Sequence, residues 1–243
     1  MSAVFNWLSG NKLYVLLALA TMFSYFWLFQ NKQKLNIGDG MAFLLAAGHT
    51  LLGLMCVKVF AFLEAGADAE TAGGMSLYGA VFFLPMAYFA AAKLTKRKPA
   101  DVFDVFTICV IFTLMCARVN CLMSGCCLGK LMFGSETLRW PTRELEIAFY
   151  IILLVWLGRR AGKKNAKGKI YPLYMMFYGL FRFITEWFRE TSHPVGYLHI
   201  SHIWSIVAVI AGWIVYRRLC DKESSGDKNR SVLKTRKKKE EER

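Results

Sequence analysis

The apolar residues of this chain fall into seven blocks, each near the length that crosses a bilayer, separated by short charged loops. The blocks lie near 13–29, 41–63, 74–92, 102–122, 144–158, 171–188 and 200–216. A run of about 20 apolar residues spans hydrocarbon only as a helix, because each backbone N–H and C=O must find its partner within the segment. The expected fold is an all-α polytopic membrane protein with seven transmembrane helices. With 56% hydrophobic residues and loops too short for a second core, one membrane domain over 1–220 accounts for most of the chain. The remainder, 221–243, is polar, lacks aromatic residues and ends in KTRKKKEEER, which reads as a disordered charged tail. The first block lacks a small-x-small cleavage site after its apolar core. Its aromatics (Phe23, Tyr25, Phe26, Trp27 and Phe29) suit a retained helix.

Charge orients the bundle. Lys93, Lys96, Arg97 and Lys98 follow the third block; Arg159, Arg160, Lys163, Lys164, Lys167 and Lys169 follow the fifth; Arg217 and Arg218 follow the seventh. These three loops belong in the cytoplasm. Residues 64–71 carry three acids and no base and belong outside. The N-terminus is then outside and the C-terminus cytoplasmic. Lys32 and Lys34 agree with this; Lys12 on the outer flank does not. The net charge of +14 is concentrated in loops and tail, where lipid headgroups explain it without nucleic acid.

This topology puts the ionisable residues of the blocks at one depth. Lys58, Arg118, Glu146, Arg182 and Glu186 all fall within roughly 10 Å of the outer boundary at about 1.5 Å per residue. Ser76 and Tyr78, in GGMSLYGA, share that level. Arg182 and Glu186 are four apart and share a helix face. An ionisable pair at membrane depth marks a functional site by default. Base exceeds acid here, and guanidinium forks suit an anionic phosphate headgroup. Plainer alternatives stand beside each residue. Arg182 and Glu186 also read as a structural pair, Lys58 and Arg189 as side chains snorkelling to the interface, and Glu146 as a helix cap. His49 reads as a satisfied core residue, and His193, His199 and His202 as interfacial. Gly73 and Gly74 let backbone approach a lipid phosphate or simply permit a turn.

The seven cysteines are Cys56, Cys109, Cys116, Cys121, Cys126, Cys127 and Cys220. No spacing among them matches a zinc site, so no metal and no cofactor are expected. Cys126 and Cys127 read most simply as small residues in a tight Gly125–Gly129 turn. A covalent carrier thiol, or a redox group with Cys121, are the other readings.

Four pieces in order resemble the prolipoprotein diacylglyceryl transferases, over about half the chain. GGMSLYGA at 73–80 resembles that family's GGMS-x-His-Gly, and ARVNCLMSGCCLGK at 117–130 its Arg-x-Gly-Asn signature. PTRELE at 141–146 resembles its Pro-Ser-Gln-Leu-Tyr-Glu, and YGLFRFITEWFRE at 178–190 its Tyr-Gly-x-x-Arg-Phe-x-x-Glu-x-x-Arg, the most specific of the four. The resemblance implies transfer of a diacylglyceryl group from phosphatidylglycerol to the lipobox cysteine of a prolipoprotein, recognised through its signal-peptide region. This would occur at the outer face of a bacterial plasma membrane. It implies that Arg118 contacts phosphatidylglycerol, that Arg182 and Glu186 are essential, and that Glu146 and Gly129 are shared motif residues. The departures are Tyr78 for the family's His, Asn120 and Cys121 for its Gly-Asn, Cys126 for its later Glu, Arg143, Glu144 and Leu145 for its Gln-Leu-Tyr, and His202 for its Gln.

The reaction breaks a glycerol C–O bond beside a phosphate, so cations aimed at the leaving oxyanion stabilise the developing charge. Arg182 and Arg118 take that role, with Lys58 in support. Glu186 orients Arg182 or accepts the acceptor thiol's proton, and tight pairing with Arg182 favours orientation. Tyr78 can donate a hydrogen bond but is a poor base near neutral pH. Two rival readings are a lipid-binding or transport module and a non-catalytic paralogue. The first predicts Gly- or Pro-broken helices at the midplane, which the sequence does not suggest.

Overall fold

Each of the seven apolar blocks lies on a helix of its own in the structure, a computed structural model. It describes residues 10–66, 76–132, 134–135, 137–163, 166–190, 194–195 and 198–241. The helices are α1 (Lys12–Gln30), α2 (Lys32–Leu35), α3 (Asp39–Glu64), α4 (Tyr78–Leu94), α5 (Pro99–Ser124), α6 (Thr142–Ala161), α7 (Ile170–Glu186) and α8 (Ile200–Glu241). A two-residue antiparallel pair, β1 (Pro194–Val195) and β2 (Leu198–His199), precedes α8. Among the described residues, four segments are long and apolar enough to cross a membrane: α1, α3, α5 and residues 200–223 of α8. The apolar α4 has 17 residues, beginning at Tyr78 rather than at 74. The bundle is that of a multi-pass membrane protein.

The distribution of burial supports the same conclusion. On α7, Arg182 and Glu186 are 5% and 1% exposed, whereas Leu180 and Ile184 on the opposite face are 54% and 51% exposed. A helix in water shows the reverse pattern; in lipid, the apolar face turns outward and the polar face inward.

Helix α5 forms the centre, with 67% of its apolar window buried against 17–33% for the other three long spans. Its ends are written locally. Pro99 occupies the first turn, where a missing N–H costs nothing, and Asp101 complements the helix dipole. Gly125 closes it in the left-handed region at φ 68°. Lys12 of α1 donates to Met123 O at 3.1 Å. That bond satisfies one of the last carbonyls of α5. At the other end, buried Asp104 accepts from Gly168 N–H at 2.7 Å and Ile170 N–H at 3.3 Å, fixing the start of α7.

Helices α7 and α8 pack closely because Gly179 has no side chain: a Cβ there would come 2.7 Å from Ser205 O. Helix α8 continues to Glu241, through the segment that reads as a disordered tail. Lys, Arg and Glu dominate that segment and are good helix formers.

Candidate functional site

Arg182 and Glu186 sit on one face of α7 and pair at 3.0 Å. Arg182 also reaches Glu146 of α6 at 3.2 Å. The second carboxylate oxygen of Glu146 pairs with Arg118 Nε from the C-terminal part of α5. Glu186 faces Arg189, just beyond α7, at 3.8 Å. The result is an alternating row, Arg118–Glu146–Arg182–Glu186–Arg189, built by three helices and one loop. Arg118, Glu146, Arg182 and Glu186 are all buried. Three guanidinium groups face two carboxylates, which leaves one positive charge without a partner inside the row. Arg189 has the weakest contact. Burial lowers its pKa, and the charges of Arg182 and Arg118 lower it further.

The row forms the polar end of a cavity of about 590 Å³. Arg118, Arg182, Glu186 and Arg189 line that end, and the carboxylates of Glu64 and Glu190 also belong to the lining. Leu16, Leu17, Leu54, Leu84, Val110 and Leu114 line the remainder, down to mid-depth. A charged head end continuous with an apolar channel matches an amphiphile better than a soluble metabolite.

A small outer hairpin places Arg189. Gly129 and Arg189 form an isolated antiparallel bridge. Lys130 N–H donates to Phe188 O at 2.8 Å, and Glu190 N–H to Leu128 O at 3.2 Å. Arg139 pairs with Glu190, and the Trp140 and Phe188 rings meet at 4.6 Å between centroids. Gly129 is required by closeness: a Cβ there would come 2.2 Å from Trp140 O.

Tyr78 lines the cavity, but its hydroxyl is occupied. It donates to Ser201 O at 2.9 Å and lies 2.6 Å from Ser205 Oγ. Its ring stands edge-on to Tyr178, one turn from Arg182. Ser76 also lines the cavity and ties α4 to α3 through Ser76 N–H to Val57 O at 3.1 Å. Lys58 is exposed on α3 and is not among the lining residues. It faces away because its neighbour Val57 takes the inward position. Gly73 and Gly74 lie outside the described residues. His202 is fully buried against Phe183 and Trp187 and accepts from His199 N–H at 3.2 Å; His199 is the histidine that lines the cavity. His49 lies buried beside Tyr88 and Thr113, at 3.4 and 3.5 Å.

The sequence reading leaves Arg189 as a flanking residue. Its signal is the last Arg of YGLFRFITEWFRE, seven positions after Arg182 and so on the same helix face if the turn continues. The cysteines give only the adjacent Cys126–Cys127 pair near Cys121, with no metal spacing. Cys121, Cys126 and Cys127 all line the cavity, and their sulfurs lie within 4.8 Å of one another. Cys127 lies in the loop, with its pKa held below the ordinary thiol value. The main cause is a hydrogen bond from Cys121, which outweighs burial, with further help from Arg189 and Arg118.

The family model for prolipoprotein diacylglyceryl transferase matches residues 11–218. A phosphatidylglycerol–prolipoprotein diacylglyceryl transferase 2 of Clostridium perfringens is 26% identical over 174 residues, covering 64% of this chain and 67% of the relative. The transferase of Finegoldia magna is 26% identical over 155 residues, covering 59% and 60%. That of Mannheimia succiniciproducens is 31% identical over 134 residues, covering 51% and 50%. The chain thus spans between half and two thirds of the length of these relatives. The family model's match over residues 11–218, nearly the whole bundle, shows that the chain belongs to the prolipoprotein diacylglyceryl transferase family.

Proposed function

We propose that this protein transfers a diacylglyceryl group from phosphatidylglycerol to the thiol of a lipobox cysteine, at the outer face of a bacterial plasma membrane. The proposal includes seven crossings with the N-terminus outside. The observation that carries it is the buried arginine–glutamate row, with three arginines to two glutamates, at the polar end of an apolar cavity. A phosphodiester monoanion pairs with the row's third guanidinium, and acyl chains match the apolar walls. Arg189 is the first contact for the phosphate, because Arg118 and Arg182 already hold carboxylates. Arg182, held between Glu146 and Glu186, presents a fixed cation to the glycerol phosphate as it leaves. With Glu186 engaged by two arginines, its role is orientation rather than base work. Tyr78 positions α8 against α4.

The test is mass spectrometry of a synthetic lipobox peptide after incubation with purified protein and phosphatidylglycerol. The expected product carries one diacylglyceryl group on its cysteine. Arg182→Lys, checked for folding, should lose most of that product. No product from a folded wild-type protein would turn the reading to another acceptor or to lipid binding without chemistry. The observation favouring that alternative is Tyr78, whose hydroxyl is committed to Ser201 where the family carries a histidine.

A further inference from the structure

Three thiols converge at the outer end of α5, and the transfer reading above uses none of them. The convergence is made by the turn. Gly125 takes φ 68°, Cys126 N–H returns to Cys121 O at 3.2 Å, and Cys127 takes φ 57°. A residue with a side chain rarely enters that region. The outcome is that the sulfurs of Cys121, Cys126 and Cys127 all lie within 4.8 Å of one another. Sulfurs held about 2.3 Å from one ion stand roughly 3.8–4.0 Å apart, so small side-chain rotations close the set around a metal. All three are free thiols, with Cys126 exposed and the other two half-buried.

We propose that Cys121, Cys126 and Cys127 form a binding site for a thiophilic metal ion, zinc(II) first, with a fourth position open to the cavity. An all-sulfur set excludes magnesium and calcium, which take oxygen ligands. Three protein ligands rather than four is the pattern of zinc sites that keep a position for substrate. Three thiolates on a divalent ion carry one net negative charge, and the positive charges of Arg189 and Arg118 reach this corner. The spacing Cys-x4-Cys-Cys resembles no zinc motif because the left-handed turn, not the sequence interval, brings the ligands together.

The fourth position also answers a need of the proposed reaction, and this step alone rests on that reading. An ion held by Cys121, Cys126 and Cys127 would lower the pKa of an acceptor thiol brought to the open position, whose proton would pass to water. The acceptor sulfur attacks the glycerol carbon, a C–S bond forms as the C–O bond breaks, and the electron pair leaves on glycerol phosphate beside the arginines.

The experiment uses the full-length protein, purified in detergent, reduced and freed of metal, and titrated with cobalt(II) and then zinc(II). The expected result is one ion per chain, a sulfur-to-cobalt charge-transfer band, and its loss as zinc displaces cobalt. Cys121→Ser and Cys127→Ser should each weaken loading by at least about tenfold. Cys220→Ser, far along α8, should leave it unchanged. A folded protein that shows no band while its thiols all react with an alkylating agent overturns the site. So does a disulfide among the three recovered from protein isolated without air. A lipobox peptide added to the cobalt form should shift the band. An unshifted band removes the acceptor step while the metal site stands, and loading without any diacylglyceryl transfer overturns the transferase reading instead.

Discussion

Glu146 of α6 and Arg182 of α7 meet at 3.2 Å, with only 3% and 7% of their side chains exposed. Glu146 is the one carboxylate of the row shared between two helices' arginines, since it also holds Arg118. Taking away one member of a buried ionic set leaves charges that nothing else compensates. Glu146→Gln should therefore cost on the order of 3–5 kcal/mol of stability, read as a lowered unfolding midpoint in detergent. A variant as stable as wild type would show that water or lipid already reaches the row.

Arg189 is predicted to bind lipid rather than to hold the fold. Arg189→Ala should raise KM for phosphatidylglycerol by roughly 10–100-fold, from the loss of a charged hydrogen bond of about 1.5–3 kcal/mol. Its unfolding midpoint should move little, because its contact with Glu186 is already 3.8 Å long. Arg189→Lys should recover part of the loss. A changed midpoint with unchanged KM would make the residue structural.

Tyr78→Phe separates positioning from base catalysis. The hydroxyl's hydrogen bond to Ser201 O is worth about 0.5–1.5 kcal/mol, so stability should fall by that amount and transfer by less than about tenfold. A loss of roughly 10²–10⁴-fold in kcat with stability intact would instead make Tyr78 an acid or base in the reaction.

Gly129→Ala tests the outer hairpin. The added methyl would come 2.2 Å from Trp140 O, so the backbone must shift, and with it the bridge that seats Arg189. The expected outcome is a rise in KM for phosphatidylglycerol similar to that of Arg189→Ala, with the helical circular dichroism unchanged.

Lys58→Ala should change neither KM nor the unfolding midpoint, since the side chain is exposed and lies away from the cavity. A rise in KM would show that α3 turns in the membrane relative to the described arrangement.

The segments that became helices were legible because the bilayer allows a single solution to a run of 20 apolar residues. Six of the seven blocks match a helix to within a few residues; the seventh, 200–216, starts with α8, which runs on to Glu241. Of the five charged positions that the sequence groups together, four, Arg118, Glu146, Arg182 and Glu186, meet in one buried row, as expected where unpaired charge in a membrane is costly. Lys58 was not separable from them, since depth along a helix says nothing of which way a side chain faces. That was decided by Val57, which fills the inward position beside it.

The sequence by itself determined the apolar spans, which of them carry charged residues and the family resemblance, since each rests on local composition or motif. Tertiary structure alone decided who pairs with whom. Glu146 bridges Arg118 and Arg182 across 28 and 36 positions of chain, and Arg189 joins the row because a hairpin around Gly129 holds the end of α7. The three sulfurs also met only in the folded chain: two left-handed residues, Gly125 and Cys127, fold the end of α5 back on itself, and backbone dihedrals of that kind leave no period or spacing to read.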